Sequence, residues 1–444
     1  MRVAIYTLGC KVNQFESLAL SEEYERLGCQ VVPAGHEADL YVINTCAVTG
    51  KAAYQSRQYI RRILKRFPDA RVLATGCYVQ VGATELLERI GPRICMAGND
   101  MKADIPRLST SKPDCLGIFV GDVRNMLNIL PLTISRPGTR SRVYLKVQDG
   151  CDAFCSYCIV PYARGRSRSM PAEEIERQVE QLTSRGAREI VITGIHVGHY
   201  GKDLPEGPDL LGLLKRLCSG FPDVWFRLSS IEPTEVGPDF LAWAASAPNF
   251  CRHFHVPLQS GSERVLRHMN RRYRPEQYAG VIEAIRGALP DACIGADVMA
   301  GFPTETQEDF EESVRLIEAL PISYIHAFPY SRRPGTKASG LKSRVTRKEA
   351  ERRARILRAI GEEKRLDFYR RFLGQELDAL VEGPAPKRGS YGEKGMIQAR
   401  TSNYLPVQLP AGKAGNGEGK ISKNSFLKVR ITGISDNLPV GEAV

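Results

Sequence analysis

The chain has 444 residues, 43% apolar and 25% charged, which is ordinary for a globular protein and long enough for two to three domains. Lys and Arg outnumber Asp and Glu by 62 to 50, so a formal charge of +12 favours a polyanionic partner such as nucleic acid. No stretch reaches the roughly 18–20 apolar residues of a membrane helix, and Met1–Cys10 does not read as a secretion signal. The expectation is a cytoplasmic protein with no membrane contact, whose 12 cysteines are better explained by metal ligation than by disulfides.

Short apolar runs alternate with helical patterns through the first third. Arg2–Gly9 reads as a strand, Glu16–Leu27 as an amphipathic helix, and Leu40–Asn44 and Arg71–Thr75 as buried strands flanking a basic helix over Tyr54–Phe67. This pattern predicts a parallel sheet. The rhythm lapses between Asp114 and Arg142, and Ser135–Arg142 reads as a basic linker. From Val143 the alternation resumes. Helices are predicted at Glu173–Arg185, Arg274–Leu289 and Thr306–Leu320, and strands at Arg188–Gly194, Trp225–Ser230, His253–Leu258, Cys293–Ala300 and Tyr324–Tyr330. That is the pattern of a full or partial βα-barrel, whose chemistry sits at the carboxyl ends of its strands. Arg347–Phe372 is one long charged helix, read as a solvated face with a phosphate-facing side as the alternative. After Gly374, short strands at Glu376–Glu382, Gly395–Ala399, Leu405–Leu409 and Phe426–Ile431 predict a small β-barrel, with exposed loops at Pro384–Lys394 and Ala411–Lys423.

The strongest local signal is Cys151-Asp-Ala-Phe-Cys155-Ser-Tyr-Cys158. Three thiolates on a loop after a strand can converge on one iron–sulfur cluster. Three protein ligands leave one iron open, the mark of a reactive site. A zinc knuckle missing a ligand is the rival reading of the spacing alone. Cys10, Cys46 and Cys77 each follow a predicted strand, so they fall on one edge of the predicted sheet and can converge too. For any one of them, core packing is the alternative. Cys29, Cys95, Cys115, Cys218, Cys251 and Cys293 show no such placement and are assigned to core or surface.

The segments TLGCKVNQFES, VINTCAVT, ATGCYVQ, GCDAFCSYCIVPYARGRSRS, HVPLQSGSERVLRHMNR and DVMAGFPTETQEDF together resemble the radical S-adenosylmethionine (SAM) methylthiotransferase family, over essentially the whole chain. The resemblance implies an α/β chain with an N-terminal parallel-sheet domain (1–118), a linker (119–136), a radical SAM domain built as a partial (βα)6 barrel (137–372) and a small all-β TRAM-like RNA-binding barrel (373–441). It implies a [4Fe–4S] cluster on Cys151, Cys155 and Cys158 that binds and cleaves SAM to a 5'-deoxyadenosyl radical. It also implies an auxiliary [4Fe–4S] cluster on Cys10, Cys46 and Cys77 that handles the sulfur. By the same resemblance Tyr157 lies against the adenine. Gly194, Ser229, Ser230 and Gly301 fall at strand ends that hold the cofactor, with plain turn chemistry as the alternative.

The family divides chiefly into enzymes of tRNA adenosine 37 and enzymes of a ribosomal-protein aspartate. The charge, the basic segment after the cluster loop and the β-module favour the tRNA anticodon loop, whose bases can be splayed out. Arg164, Arg166 and Arg168 alternate along a segment read as extended, which suits phosphate contact; a solvated basic strand is the alternative. PYARGRSRS and TGIHVGHYG resemble the type acting on N6-threonylcarbamoyladenosine. The isopentenyladenosine type usually shows Gly-Gln-Asn where this chain has Thr193-Gly194-Ile195-His196. His196 or nearby arginines are candidates for the threonyl carboxylate, and strand-end packing explains His196 equally. An electron donor such as flavodoxin and a sulfur donor complete the implied partners.

Overall fold

A computed structural model describes residues 1–111, 117–138, 141–385, 395–411 and 421–444. Cys115 and most of the two predicted loops near 384–394 and 411–423 lie outside the described residues.

The first third forms a six-stranded parallel sheet in the order Gln30–Val32, Arg2–Thr7, Leu40–Thr45, Arg71–Gly76, Cys95–Ala97, Gly117–Phe119. Every residue of Leu40–Thr45 is buried, as a central strand covered on both faces requires. The order reverses beside Arg2–Thr7, and ligands of such sheets bind at the carboxyl ends next to the reversal. The helix read as starting at Glu16 starts one turn earlier and spans Lys11–Arg26, with Cys10 at its cap. Sequence pattern missed this turn because Asn13 and Glu16, polar residues, are buried there. The segment read as a linker is packed: Leu132 and Ile134 are buried, and Ser135 and Arg136 donate to the Glu22 carboxylate from their backbone N–H groups at 2.8 and 3.0 Å.

Six further parallel strands follow in chain order. Arg142–Lys146, Glu189–Thr193 and Trp225–Leu228 form one sheet; His253–His255, Cys293–Ala300 and Tyr324–Pro329 form another. Bridges Phe226–Phe250 and Ser230–His255 join them. Helices between the strands bury apolar faces against them, and helix Gln307–Ala319 is fixed at its start by a Thr306–Asp309 capping box. The charged helix Arg347–Arg370 is less solvated than expected. Ala350, Ala354 and Leu357 are buried on one side, and Arg353 forms a buried ion pair with Glu305 at 2.6 Å. All strand-end loops carrying candidate residues emerge from the same end of this succession.

The chain ends in a closed five-stranded barrel: Glu376–Pro384, Met396–Thr401, Pro406–Pro410, Leu438–Ala443 and Phe426–Ser435. The last strand, Leu438–Ala443, closes it and was not foreseen, because its Pro439 and Gly441 read as turn residues. The barrel sits at the amino-terminal ends of the central strands, away from the cysteine loops. Arg142 pairs with Glu382 at 2.8 Å, Arg227 donates to the Ser402 carbonyl at 3.0 Å, and Tyr404 stacks on His253 at 4.2 Å. No helix among the described residues is long and apolar enough to cross a membrane.

Candidate active site

Cys10 caps helix Lys11–Arg26, Cys46 lies four residues before helix Gly50–Arg66, and Cys77 opens helix Cys77–Ile90. Helix amino termini favour anionic ligands, so each loop suits a thiolate. Gly9 makes the convergence possible. Its φ is +100°, and a Cβ there would sit 2.8 Å from the Cys46 Cβ and 2.9 Å from its Sγ. The three thiols are close enough to perturb one another electrostatically, and burial pushes the Cys46 thiol up to about 12.

The second trio lies on the loop after Gln148–Asp149. Gly150, at φ +76°, lets the chain pass the Arg166 carbonyl, which a Cβ would approach to 1.8 Å. The loop is clamped from the opposite side: Ser156 donates from N to the Met269 carbonyl at 2.9 Å and from Oγ to the His268 carbonyl at 2.7 Å, and Asn270 Nδ2 donates to the Phe154 carbonyl at 3.1 Å. These three thiols also feel one another, and burial pushes Cys158 up to about 12.

Among the described residues, the His/Cys/Asp/Glu groups whose ligand atoms all lie within 4.8 Å are His196–His199–Glu235 and His255–Asp297–His326; neither cysteine trio is among them. The donor set of each trio, three thiolates, is one that a [4Fe–4S] cluster takes with one iron left open.

Two of the Cys151 trio meet a cation backed by a carboxylate. Arg271 Nη1 donates to Cys155 Sγ at 3.4 Å and pairs with Glu232. His196 Nδ1 lies 3.5 Å from Cys151 Sγ, and its Nε2 lies 2.7 Å from Glu235 Oε1. Burial pulls the His196 pKa down, but the bonds to Cys151 and Glu235 outweigh it and carry it up to about 10. Arg271, Glu232 and Glu235 escaped sequence reasoning. The HVPLQSGSERVLRHMNR segment ends one residue short of Arg272 and contains Arg271, which was the available signal.

Two cavities adjoin the loops. One, of about 210 Å³, is lined by Val48 and Thr49 from the Cys46 loop, by Tyr157 and Cys158, and by Gln259, Asp297, Met299 and Tyr330 from strand ends. It therefore touches both cysteine loops. Gln259 sits at φ +62°, and its Oε1 and the Tyr330 Oη are buried without a hydrogen-bond partner among the described residues. Buried orphan acceptors and donors in a cavity wall mark places where a ligand bonds. The other, of about 190 Å³, is lined by Cys155, His196, His199, Glu235 and Arg271.

Of the expected cofactor residues, Tyr157 lines the first cavity. Gly194 packs against Gln148, where a Cβ would meet Oε1 at 2.8 Å; Ser229 is buried with an unpartnered Oγ; Ser230 is exposed; Gly301 packs against Ala350. None of these four lines either cavity. The arginine expectation needs correction. Arg164 ends a short helix, Val160–Arg164, and is buried, its guanidinium bonded to Glu16, Asp149 and Asn13. Arg168 is buried too and donates to the Arg164 carbonyl at 2.6 Å. The turn at Gly165 breaks the extended alternation, so Arg166 alone of the three is exposed.

The family model of the Radical SAM superfamily matches residues 145–317, and that of Uncharacterized protein family UPF0004 matches residues 2–98. Threonylcarbamoyladenosine tRNA methylthiotransferase MtaB of Aquifex aeolicus (strain VF5) is 40% identical over 389 residues, covering 86% of this chain and 93% of that protein. The chain belongs to the radical SAM methylthiotransferase family. The MtaB protein of Bacillus subtilis (strain 168) is 33% identical, covering 96% and 94% of the two chains. The tRNA-2-methylthio-N(6)-dimethylallyladenosine synthase of Fusobacterium nucleatum subsp. nucleatum is 31% identical over 97% of each. A solved radical SAM methyltransferase, TsrM from Kitasatospora setae, shares the fold at a TM-score of 0.56 and 15% identity, covering 76% and 74%. As a radical SAM methylthiotransferase the chain is an enzyme, and its cofactors are SAM and [4Fe–4S] clusters.

Proposed function

We propose that this enzyme adds a methylthio group to carbon 2 of N6-threonylcarbamoyladenosine at position 37 of tRNA. The observation that carries the reading is one cavity touched by both cysteine loops, so that a single base lies within reach of two different chemistries. Cys151, Cys155 and Cys158 would hold the cluster that works on SAM, and Cys10, Cys46 and Cys77 the auxiliary cluster; bound there, these groups supply the hydrogen-abstracting radical, the sulfur and the methyl group. Tyr157 orients the adenosyl part of SAM, and Gln259 and Tyr330 offer it the hydrogen bonds they otherwise lack. Met299 and Phe328 keep that end of the cavity apolar, which excludes water from a radical. Arg271 and His196 hold Cys155 and Cys151 through hydrogen bonds to sulfur, as outer-shell partners do.

Residues 373–441 are read as a TRAM-like module, and the +12 charge favours a tRNA partner. The threonylcarbamoyl substrate is favoured by the names of the relatives in Aquifex aeolicus and Bacillus subtilis, and the dimethylallyl substrate by that of the relative in Fusobacterium nucleatum. Nucleoside mass spectrometry of tRNA from cells with and without the gene tests the choice. Loss of 2-methylthio-N6-threonylcarbamoyladenosine is the expected result; loss of the isopentenyl counterpart instead would overturn it.

A further inference from the structure

A layer of buried charge lies between the two cysteine sites. Lys102 Nζ donates to Glu16 Oε2 at 2.5 Å; Lys146 Nζ lies 3.4 Å from Glu16 Oε1 and 3.1 Å from Asp149 Oδ2; Arg164 Nη1 donates to Glu16 Oε1 at 2.8 Å and Asp149 Oδ1 at 2.9 Å. All five side chains are buried. Two carboxylates thus face three cations, an excess of one positive charge. Buried Arg168 stands outside this count, because Asp203 and Asp152 act on its guanidinium besides Asp149. Burial pulls the Lys102 pKa down, and an anion beside the layer is what would keep its ammonium charged.

The layer reaches each of the N-terminal cysteine loops. Arg164 Nη2 donates to Asn13 Oδ1 at 2.6 Å, and that oxygen lies 3.9 Å from Cys10 Sγ. Lys102 Nζ lies 3.4 Å from Asn44 Oδ1, which in turn sits 2.6 Å from where a Cβ on Gly76 would stand, beside Cys77. Asn99 Nδ2 spans Cys77 Sγ at 3.8 Å and the Ala163 carbonyl at 2.7 Å, one residue before Arg164. The Arg164 charge is felt at Cys10, Cys46 and Cys77. An oxidised [4Fe–4S] core carries +2, and three thiolates bring it to −1, equal and opposite to the excess.

We propose that Lys102 and Arg164 are the built-in counter-charge of the cluster on Cys10, Cys46 and Cys77, so that loading this cluster and packing the Cys151 loop against the N-terminal sheet stabilise one another. The inference rests on the cluster assignment above. The coupling runs through the chain itself: Asp149 precedes Cys151 by two residues, and Arg164 follows Cys158 by six. Lys102 is the separable element, because without it two carboxylates face Lys146 and Arg164 in even number.

The test is anaerobic reconstitution of the full chain, the wild type beside K102M, K102Q and K102R. Iron and sulfide are counted, and melting is followed with and without clusters. Wild type and K102R are expected to hold about eight irons per chain, and K102M and K102Q about four. Cluster-free K102M should melt no lower than cluster-free wild type, whereas its rise in melting temperature on reconstitution should fall to half or less. K102M and K102Q that hold eight irons and gain the full rise would overturn the inference while leaving the cluster assignment standing. Cluster-free variants that already melt lower by the whole difference would overturn it too, as they would make Lys102 a packing residue. A wild type holding only four irons would overturn the assignment and the inference together.

Discussion

The two cysteine trios are built in contrasting ways. One is contiguous, three thiols within eight residues on a loop pinned by the backbone carbonyls of His268 and Met269 and the side-chain amide of Asn270. The other is assembled from three strand ends spread between residues 10 and 77. The contiguous trio meets charged neighbours directly, Arg271 and His196, each backed by its own glutamate. The dispersed trio meets neutral amides, Asn13 and Asn99, with the charge one layer further back. A compact loop can be met at the sulfur by donors from neighbouring strand ends; a site gathered from a sheet edge has room beneath it for a whole charged layer.

The sharpest separation of the two is functional. C155A is expected to abolish 5'-deoxyadenosine formation from SAM, whereas C46A should leave that reaction running while abolishing sulfur transfer to tRNA; product analysis of both variants checks this. A C46A protein that also fails to cleave SAM would break the division of labour. Next in size is E16Q. It leaves three buried cations facing one carboxylate and should cost about 3–5 kcal/mol in denaturant unfolding of the cluster-free chain. G9A forces a Cβ into the Cys46 side chain at positive φ and should destabilise by about 1–3 kcal/mol, with loss of iron from the dispersed trio alone.

A pH series bears on the contiguous trio. In the cluster-free chain burial lowers the His196 pKa, but the bonds to Cys151 and Glu235 outweigh it and push it up from 6.5 to about 10, so the folded state binds its proton more tightly. That stabilisation is complete below about 6.5 and is lost as pH rises through 10; E235Q should flatten this part of the stability profile. The smallest effect is expected of R166A. As one exposed arginine it should leave the melting temperature unchanged and lower the salt slope of tRNA binding by about one, whereas R164A should unfold the layer rather than weaken RNA.

Sequence reading succeeded where a residue type and its local pattern decide the outcome. The strands at Leu40–Thr45 and Cys293–Ala300 follow from buried apolar runs, and the cysteines after strands are visible from topology alone. It failed where tertiary partners decide. Nothing local reveals that Arg164 turns inward, since its acceptors, Glu16 and Asp149, come from elsewhere in the chain, and Arg168 follows it by donating to the Arg164 carbonyl. For the same reason Arg271, Glu232 and Glu235 stayed hidden: each is an ordinary charged residue until the fold places Arg271 against a thiol and the two glutamates behind Arg271 and His196. Leu438–Ala443 was lost to its proline and glycine, which a closing barrel strand tolerates.

Tyr404 changes how the molecule can be dissected. Its ring is stacked on His253 and enclosed by Arg400, Arg227 and Arg142 at 4.6, 5.0 and 5.5 Å, while neighbouring Asn403 bonds to the Asp291 carbonyl at 3.1 Å. The terminal barrel is a stopper driven into the open base of the central strands. Cutting the chain after Phe372 would strip Arg227 of its carbonyl partners and uncork a polar interior to water. A truncated enzyme that no longer modifies RNA would then speak of a collapsed foundation; point changes on the outer face of the barrel are the experiment that can speak of RNA.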